Sequence, residues 1–291
     1  PDCILDGIDP QYGKLIRYVR GESIPGCRSR RTGEGVWKLG DIINSTPATV
    51  DYGDYSLAFT GSNDGMLHAF HMGKLVRGPD EMQPTELQNS MNDEDTDKVG
   101  KEVWAFVPRN AMPYLRFLAD TNYNHINMVD LRPYIINKKD SDQKILIGGM
   151  RFGGATGDDS ADSVNPPADT CDPSTDNCTG RSAYFALDVT EPENPEHLWT
   201  FSHKDLGFSY TGPAHIKRKD SDGDWKHFVL FGSGPTNYDG TSEQDLTFFV
   251  LDLETGTVER ATSDQHDPSS LNKGNAFGGR LFTEGLDVSG N

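Results

Sequence analysis

Long apolar runs are missing from this chain of 291 residues, of which 34% are hydrophobic. Nothing in it approaches the stretch of about 18 apolar residues that would cross a membrane as a helix. Basic residues are outnumbered: Lys plus Arg is 27 against 45 for Asp plus Glu, a net charge of −18. A duplex-binding surface needs Lys and Arg to neutralise phosphates, so nucleic acid is excluded as a partner. Cysteine is scarce too, with four in all. There is no CxxC and no paired histidine to complete a zinc site, and no G-x-S-x-G elbow, P-loop or HExxH is present. The four cysteines fall into two local pairs, Cys3 with Cys27 and Cys171 with Cys178, each bracketing a polar segment. Two loop-stapling disulfides are favoured over free thiols, and they imply an oxidising compartment. A chain that starts at Pro1 and stops at Asn291 is read as a piece of a longer precursor, so missing targeting signals carry no weight.

What the chain does have is glycine and proline, 31 and 17 of them, which suit many short strands and turns. Leu57 to Phe70 shows the unit. An apolar run meets Asn63-Asp64-Gly65, whose glycine supplies the positive φ of a tight turn, and a second apolar run follows. Glu102-Val103-Trp104-Ala105-Phe106 then reads as a further strand. The theme returns in Ala183–Thr190 with His197–Phe201, and again in Leu246–Gly256 with Thr257–Glu259. Apolar strand, polar turn and strand have thus occurred in three places. A lone hairpin cannot bury its face, whereas radially packed four-stranded blades can, so the reading is all-β and a β-propeller rather than a sandwich. Ile145–Gly149 and His227–Gly234 both end in glycine, as strands do where they turn sharply.

Residues 1–35 read as a loop-rich lead-in with a helix over Tyr12–Arg20, and 36–291 as part of a propeller. Two acidic, weakly apolar insertions interrupt it, at 78–100 and 156–181, and both read as loops. A short helix is expected over Ala111–Leu118. Trp37, Trp104, Trp199, Trp225, Tyr184 and Phe185 read as blade core. His68 and His71 fall on opposite faces of one strand, which makes them poor joint metal ligands and reads as ordinary blade surface.

Two acidic runs could take a hard cation. Asp220-Ser221-Asp222-Gly223-Asp224 sets three carboxylates at alternating positions, Asp220, Asp222 and Asp224, around a glycine. It is not a complete EF-hand loop, because position nine is Phe228 and no Glu follows at position twelve. An acidic hairpin tip is the competing reading.

Leu39–Pro47, the hairpin TGSNDGMLHAF, EVWAFVPRN, YFALDVTEPENP, Leu198-Trp199 and FGSG occur in one order. That ordered set resembles the C-terminal propeller of PilY1-type, type IV pilus tip-associated adhesins, over most of residues 16–291. The resemblance implies a modified seven-bladed, quinoprotein-like propeller, of which this chain holds part of the blades. It implies a non-enzymatic role in pilus assembly, retraction control, twitching and adhesion, and pilins or minor pilins and a host or abiotic surface as partners. The place implied is the cell surface at the pilus tip. It further implies a calcium loop beginning at Asp287, Ser289 and Asn291, which match the first, third and fifth ligand positions. Two alternatives stand beside it: a quinoprotein-like oxidoreductase, although the adjacent Cys-Cys pair frequent in those enzymes is missing, and an extracellular scaffold propeller with no pilus link.

Overall fold

A computed structural model describes residues 2–4, 10–33, 35–76, 86–88, 98–138, 141–156, 179–262 and 274–281. After a 3₁₀ turn at Asp2–Ile4 and helix α1 (Pro10–Val19), fifteen strands follow among the described residues. They are β1 (Arg31–Thr32), β2 (Gly35–Val36), β3 (Ala48–Asp51), β4 (Ser56–Gly61), β5 (Leu67–Val76), β6 (Glu86–Gln88), β7 (Glu102–Phe106), β8 (Tyr134–Asn137) and β9 (Lys144–Gly149). The rest are β10 (Tyr184–Asp188), β11 (Glu196–Phe201), β12 (Ala214–Lys219), β13 (Trp225–Gly232), β14 (Phe248–Asp252) and β15 (Val258–Thr262). The segment expected to be helical near Ala111 is an eleven-residue 3₁₀ helix over Arg109–Ala119, with Pro113 inside it. Proline has no N–H to donate to an α-helical ladder there.

The larger strands form three antiparallel meanders, each the unit of a propeller blade. Blade one is β3-β4-β5-β7, blade two β8-β9-β10-β11 and blade three β12-β13-β14-β15. β6 adds to the far half of β5, pairing Lys74–Val76 with Glu86–Gln88, so part of the first insertion is strand rather than loop. Strand β8 had no counterpart in the sequence reading.

The three blades repeat in detail. Each third strand shifts register against the fourth at one equivalent point: Ala69/Phe70, Ala186/Leu187 and Val250/Leu251. A bulge there sharpens the local twist. Two residues past the shift, a side chain in each blade accepts the backbone amide two positions further on, within β5 and in the turns after β10 and β14. His71 Nδ1 accepts from the Gly73 amide at 3.0 Å, Asp188 Oδ1 from Thr190 at 2.8 Å, and Asp252 Oδ1 from Glu254 at 3.0 Å.

The middle blade explains the core. Along β10, Phe185 and Leu187 join the cluster shared with blade one, while Tyr184 and Ala186 join the cluster shared with blade three. Successive side chains leave opposite faces of a strand, and both faces here are covered, so β10 reads as a continuous apolar run. Tyr18 of α1 is 1% exposed in the first cluster, and its hydroxyl donates to the Leu118 carbonyl at 2.9 Å. The lead-in therefore shares a core with blade one.

Tryptophans fasten each blade to the next. Trp104 on β7 donates its indole N–H to Pro192 O at 2.8 Å, in the β10–β11 turn. Trp199 on β11 donates to Leu253 O at 2.9 Å, just after β14. The register puts Trp104 opposite Ala69, Trp199 opposite Ala186 and Arg260 opposite Val250, so Arg260 stands where a third tryptophan would. Trp37 and Trp225 depart from the expected core role, at 51% and 44% exposed. Trp225 lies at the solvent end of the β12–β13 hairpin, beyond the packed faces, with Lys217 Nζ 4.3 Å and Lys219 Nζ 5.2 Å from its ring centroid.

Candidate functional site

The first strand of every blade is approached the same way. Pro47 precedes β3, Pro133 precedes β8 and Pro213 precedes β12. Proline suits the start of an edge strand, where no amide is needed for a ladder. These lead-in segments clasp the end of each second strand. Gly61, closing β4, lies so near residue 129 that a Cβ would sit 2.3 Å from the Val129 carbonyl oxygen. Its amide donates to Ser45 Oγ at 2.7 Å, and Ser45 Oγ donates to Leu131 O at 3.2 Å. Only a residue without a side chain permits that approach.

Around these segments opens a central cavity of about 810 Å³, in the size range of ligand sites. Its lining draws on the lead-ins to β3, β8 and β12, on Arg151 after β9, and on Gly279-Arg280. Three arginines face it, Arg132, Arg151 and Arg280, and no lining residue among those described is acidic.

Arg151 is held deliberately. Its backbone lies in the left-handed region at φ 54°, a rare setting for a side chain with a Cβ. The Ser209 hydroxyl accepts the amides of Met150 (2.9 Å) and Arg151 (3.1 Å), which sustains that backbone. The guanidinium rests 4.8 Å from the Phe152 centroid and 4.9 Å from that of Tyr210. Asp130, 1% exposed, lies 3.5 Å from Arg151 Nη1 and accepts two hydrogen bonds from Asn44, at 2.8 and 2.6 Å. One buried carboxylate thus fixes two lining residues from different blades. Chemically the cavity offers planar cationic donors, which suit carboxylates and other oxyanions.

A second polar cluster pins the β4–β5 hairpin. Asp64 Oδ2 accepts the Gly40 amide at 2.8 Å, Asp64 Oδ1 accepts the Met66 amide at 3.1 Å, and both oxygens meet His68 Nε2 at 3.1 to 3.2 Å. Asn63 Oδ1 accepts the Met128 amide at 2.9 Å, and Asn63 Nδ2 donates to Asp41 Oδ2 at 3.1 Å. Burial works to raise the Asp41 carboxyl, but hydrogen bonds from Asn63 and His125 hold it below the usual range. The turn itself depends on Gly65, at φ 91°.

No protein-family model matches the chain. A type IV pilus biogenesis factor PilY1 homolog of Xylella fastidiosa is 28% identical over 275 residues, covering 83% of this chain and 18% of the relative. PilY1 of Pseudomonas aeruginosa strain PAK, another type IV pilus biogenesis factor, is 27% identical over 289 residues, or 88% of this chain and 19% of the relative. The chain is thus similar to PilY1 proteins over most of its own length. It spans less than a quarter of the length of these relatives. The crystal structure of the P. aeruginosa PilY1 C-terminal domain aligns over 75% of this chain and 32% of that one, with 21% identity and a TM-score of 0.41.

The expected site residues fare differently. Asp220 Oδ1 accepts the amides of Asp222 (3.0 Å) and Asp224 (2.9 Å), so its carboxylate closes the turn between β12 and β13. Among the described residues no group of three or more His, Cys, Asp or Glu is placed to hold a metal ion. Asp287, Ser289 and Asn291 lie outside the described residues, as do Cys171 and Cys178. Cys3 and Cys27 are joined in a disulfide that packs against the first core cluster. His68 and His71 depart from the surface reading, being 2% and 5% exposed. His68 stands at the β5 position that Phe185 and Phe249 fill on β10 and β14. That alignment was the available signal. The arginine cavity gave none, because its residues come from segments scattered between Asn44 and Arg280.

Proposed function

We propose that this PilY1-like chain is a propeller segment of a type IV pilus biogenesis factor, acting through protein contacts and without catalysis of its own. The observation that carries the reading is similarity to proteins of that name across 83% and 88% of the chain. The finer reading is a role in pilus assembly, retraction control and surface adhesion, at the pilus tip, with pilins or minor pilins as partners. The Cys3–Cys27 disulfide agrees with an exported location. Deleting the gene in its own host is expected to lower surface pilus number and to abolish twitching zones. Normal pili and normal twitching in the deletion strain would sink the reading.

Calcium enters this proposal through Asp287, Ser289 and Asn291, and the Asp220 loop takes the turn role instead. These three side chains are the first ligands of such a loop, and by themselves they should hold calcium weakly. In calorimetric titrations with calcium, Asp287→Ala is expected to remove the heat, while Asp222→Ala leaves it unchanged. The opposite pattern would move the site to the β12–β13 turn.

A further inference from the structure

The chain carries 45 acidic against 27 basic residues, so its exterior as a whole repels anions. The central cavity departs from that balance. Arg132, Arg151 and Arg280 line it, no described lining residue is acidic, and Asp130 beneath pairs with Arg151. Arg132 and Arg280 are exposed to it, and the Arg280 stem lies over Gly212, where a Cβ would come 2.8 Å from Arg280 Cγ. Arg151 keeps its place through a left-handed backbone, the Ser209 hydroxyl and two aromatic rings. Backbone strain of this kind persists where the surroundings over-determine it, and here it sets a guanidinium on the cavity wall.

The cavity also offers backbone. β3 and β8 are the first strands of their sheets and, among the described residues, pair on one side only. Ala48 and Thr49 of β3 and Tyr134 and Ile135 of β8 line the cavity. An unpaired strand edge presents amide and carbonyl groups that an extended peptide can meet, whereas a sugar or a free phosphate has no matching ladder.

We propose that the central cavity binds a carboxylate-rich peptide segment, with its acidic side chains on the arginines and its backbone along the edges of β3 and β8. The volume of about 810 Å³ holds a short segment of a few residues. The proposal goes beyond the pilus reading and needs nothing from it, since purified chain alone tests it.

The probe is fluorescently labelled hexaglutamate, followed by anisotropy at low and at physiological salt. Because the protein is an overall polyanion, binding of this peptide requires a local positive site. Saturable binding is expected, weakened about tenfold by Arg132→Gln with Arg280→Gln, and weakened further by salt as exposed charge pairs are. Arg132→Gln alone, at an exposed position, should weaken it by a smaller factor and serves if the double variant loses its fold by circular dichroism. Any hexalysine binding to the acidic exterior is expected to be indifferent to the arginine variants. Oligogalacturonate, with similar carboxylate spacing and no peptide backbone, is expected to bind several-fold more weakly. No hexaglutamate binding, or binding indifferent to both arginine variants, overturns the proposal. Equal binding of oligogalacturonate overturns its peptide part.

Discussion

Trp199→Ala is expected to lower the free energy of unfolding by about 4 kcal/mol, as removal of a large aromatic from a packed core does. Trp199 is 5% exposed and sits between blades two and three, in the cluster that holds Tyr184, Phe231 and Phe249. Its side chain packs against the β14–β15 turn, so closely that a Cβ on Gly256 would fall 2.5 Å from Trp199 Cγ. Truncation therefore removes the ring, leaves a cavity between two sheets, and strips the Leu253 carbonyl of its donor. Trp199→Phe separates these effects. It keeps most of the packing and loses the hydrogen bond, with an expected cost of about 1–2 kcal/mol. Equilibrium urea unfolding of the three proteins decides the matter. A Trp199→Ala midpoint and slope indistinguishable from wild type would mean that the indole does not couple the blades.

The same residue shows what could be read in the chain and what could not. Tryptophan followed two residues later by phenylalanine, in Trp104-Ala105-Phe106 and Trp199-Thr200-Phe201, marks the outer strand of two blades, and its apolar pattern was legible. Apolar character alone did not distinguish Trp199 from Trp225. Both stand in strands, but β12 and β13 run past the core into solvent, and strand length beyond a packed face leaves no compositional trace. The clasp of Ser45, Gly61 and Leu131 was hidden for another reason. Its groups are backbone or small side chains, brought together only when one blade's lead-in crosses the preceding blade. The arginine cavity is hidden more completely, since Arg132, Arg151 and Arg280 read singly as solvated charges. What made the blades legible was repetition, and what obscured the cavity was that each blade contributes different residues to it.

His68 replaces a core phenylalanine with a titratable ring, and it should make stability depend on pH in a window of its own. Burial alone would push its pKa down, but the hydrogen-bonded Asp64 carboxylate, and after it the nearby charge of Glu102, outweigh this and raise it to about 9 from 6.5. Nε2 meets the Asp64 carboxylate, while Nδ1 lies 3.7 Å from Glu102 Oε2, at ion-pair range but too long for a hydrogen bond. The fold thus holds a proton that the unfolded chain releases near its ordinary pKa. The resulting stabilisation is fully present below about pH 6.5 and disappears as pH rises through about 9; the shift corresponds to about 3 kcal/mol. Other groups act outside that window. Burial lowers His71, His197 and His203, so their neutral forms favour the fold above pH 6.5 and that contribution is lost as pH falls. Burial raises Tyr52, Tyr114 and Tyr184, whose neutral forms favour the fold until the unfolded chain's tyrosines ionise near pH 10. Urea unfolding measured across pH 6.5 to 9.5 should therefore show wild type losing stability with rising pH, and His68→Phe losing much less. The phenylalanine variant suits the site sterically, as Phe185 and Phe249 do in the other blades, and its cost lies in leaving Asp64 without its cation. Parallel slopes for the two proteins would show that His68 is neutral in the fold and that Asp64 is held by the amides of Gly40 and Met66 alone.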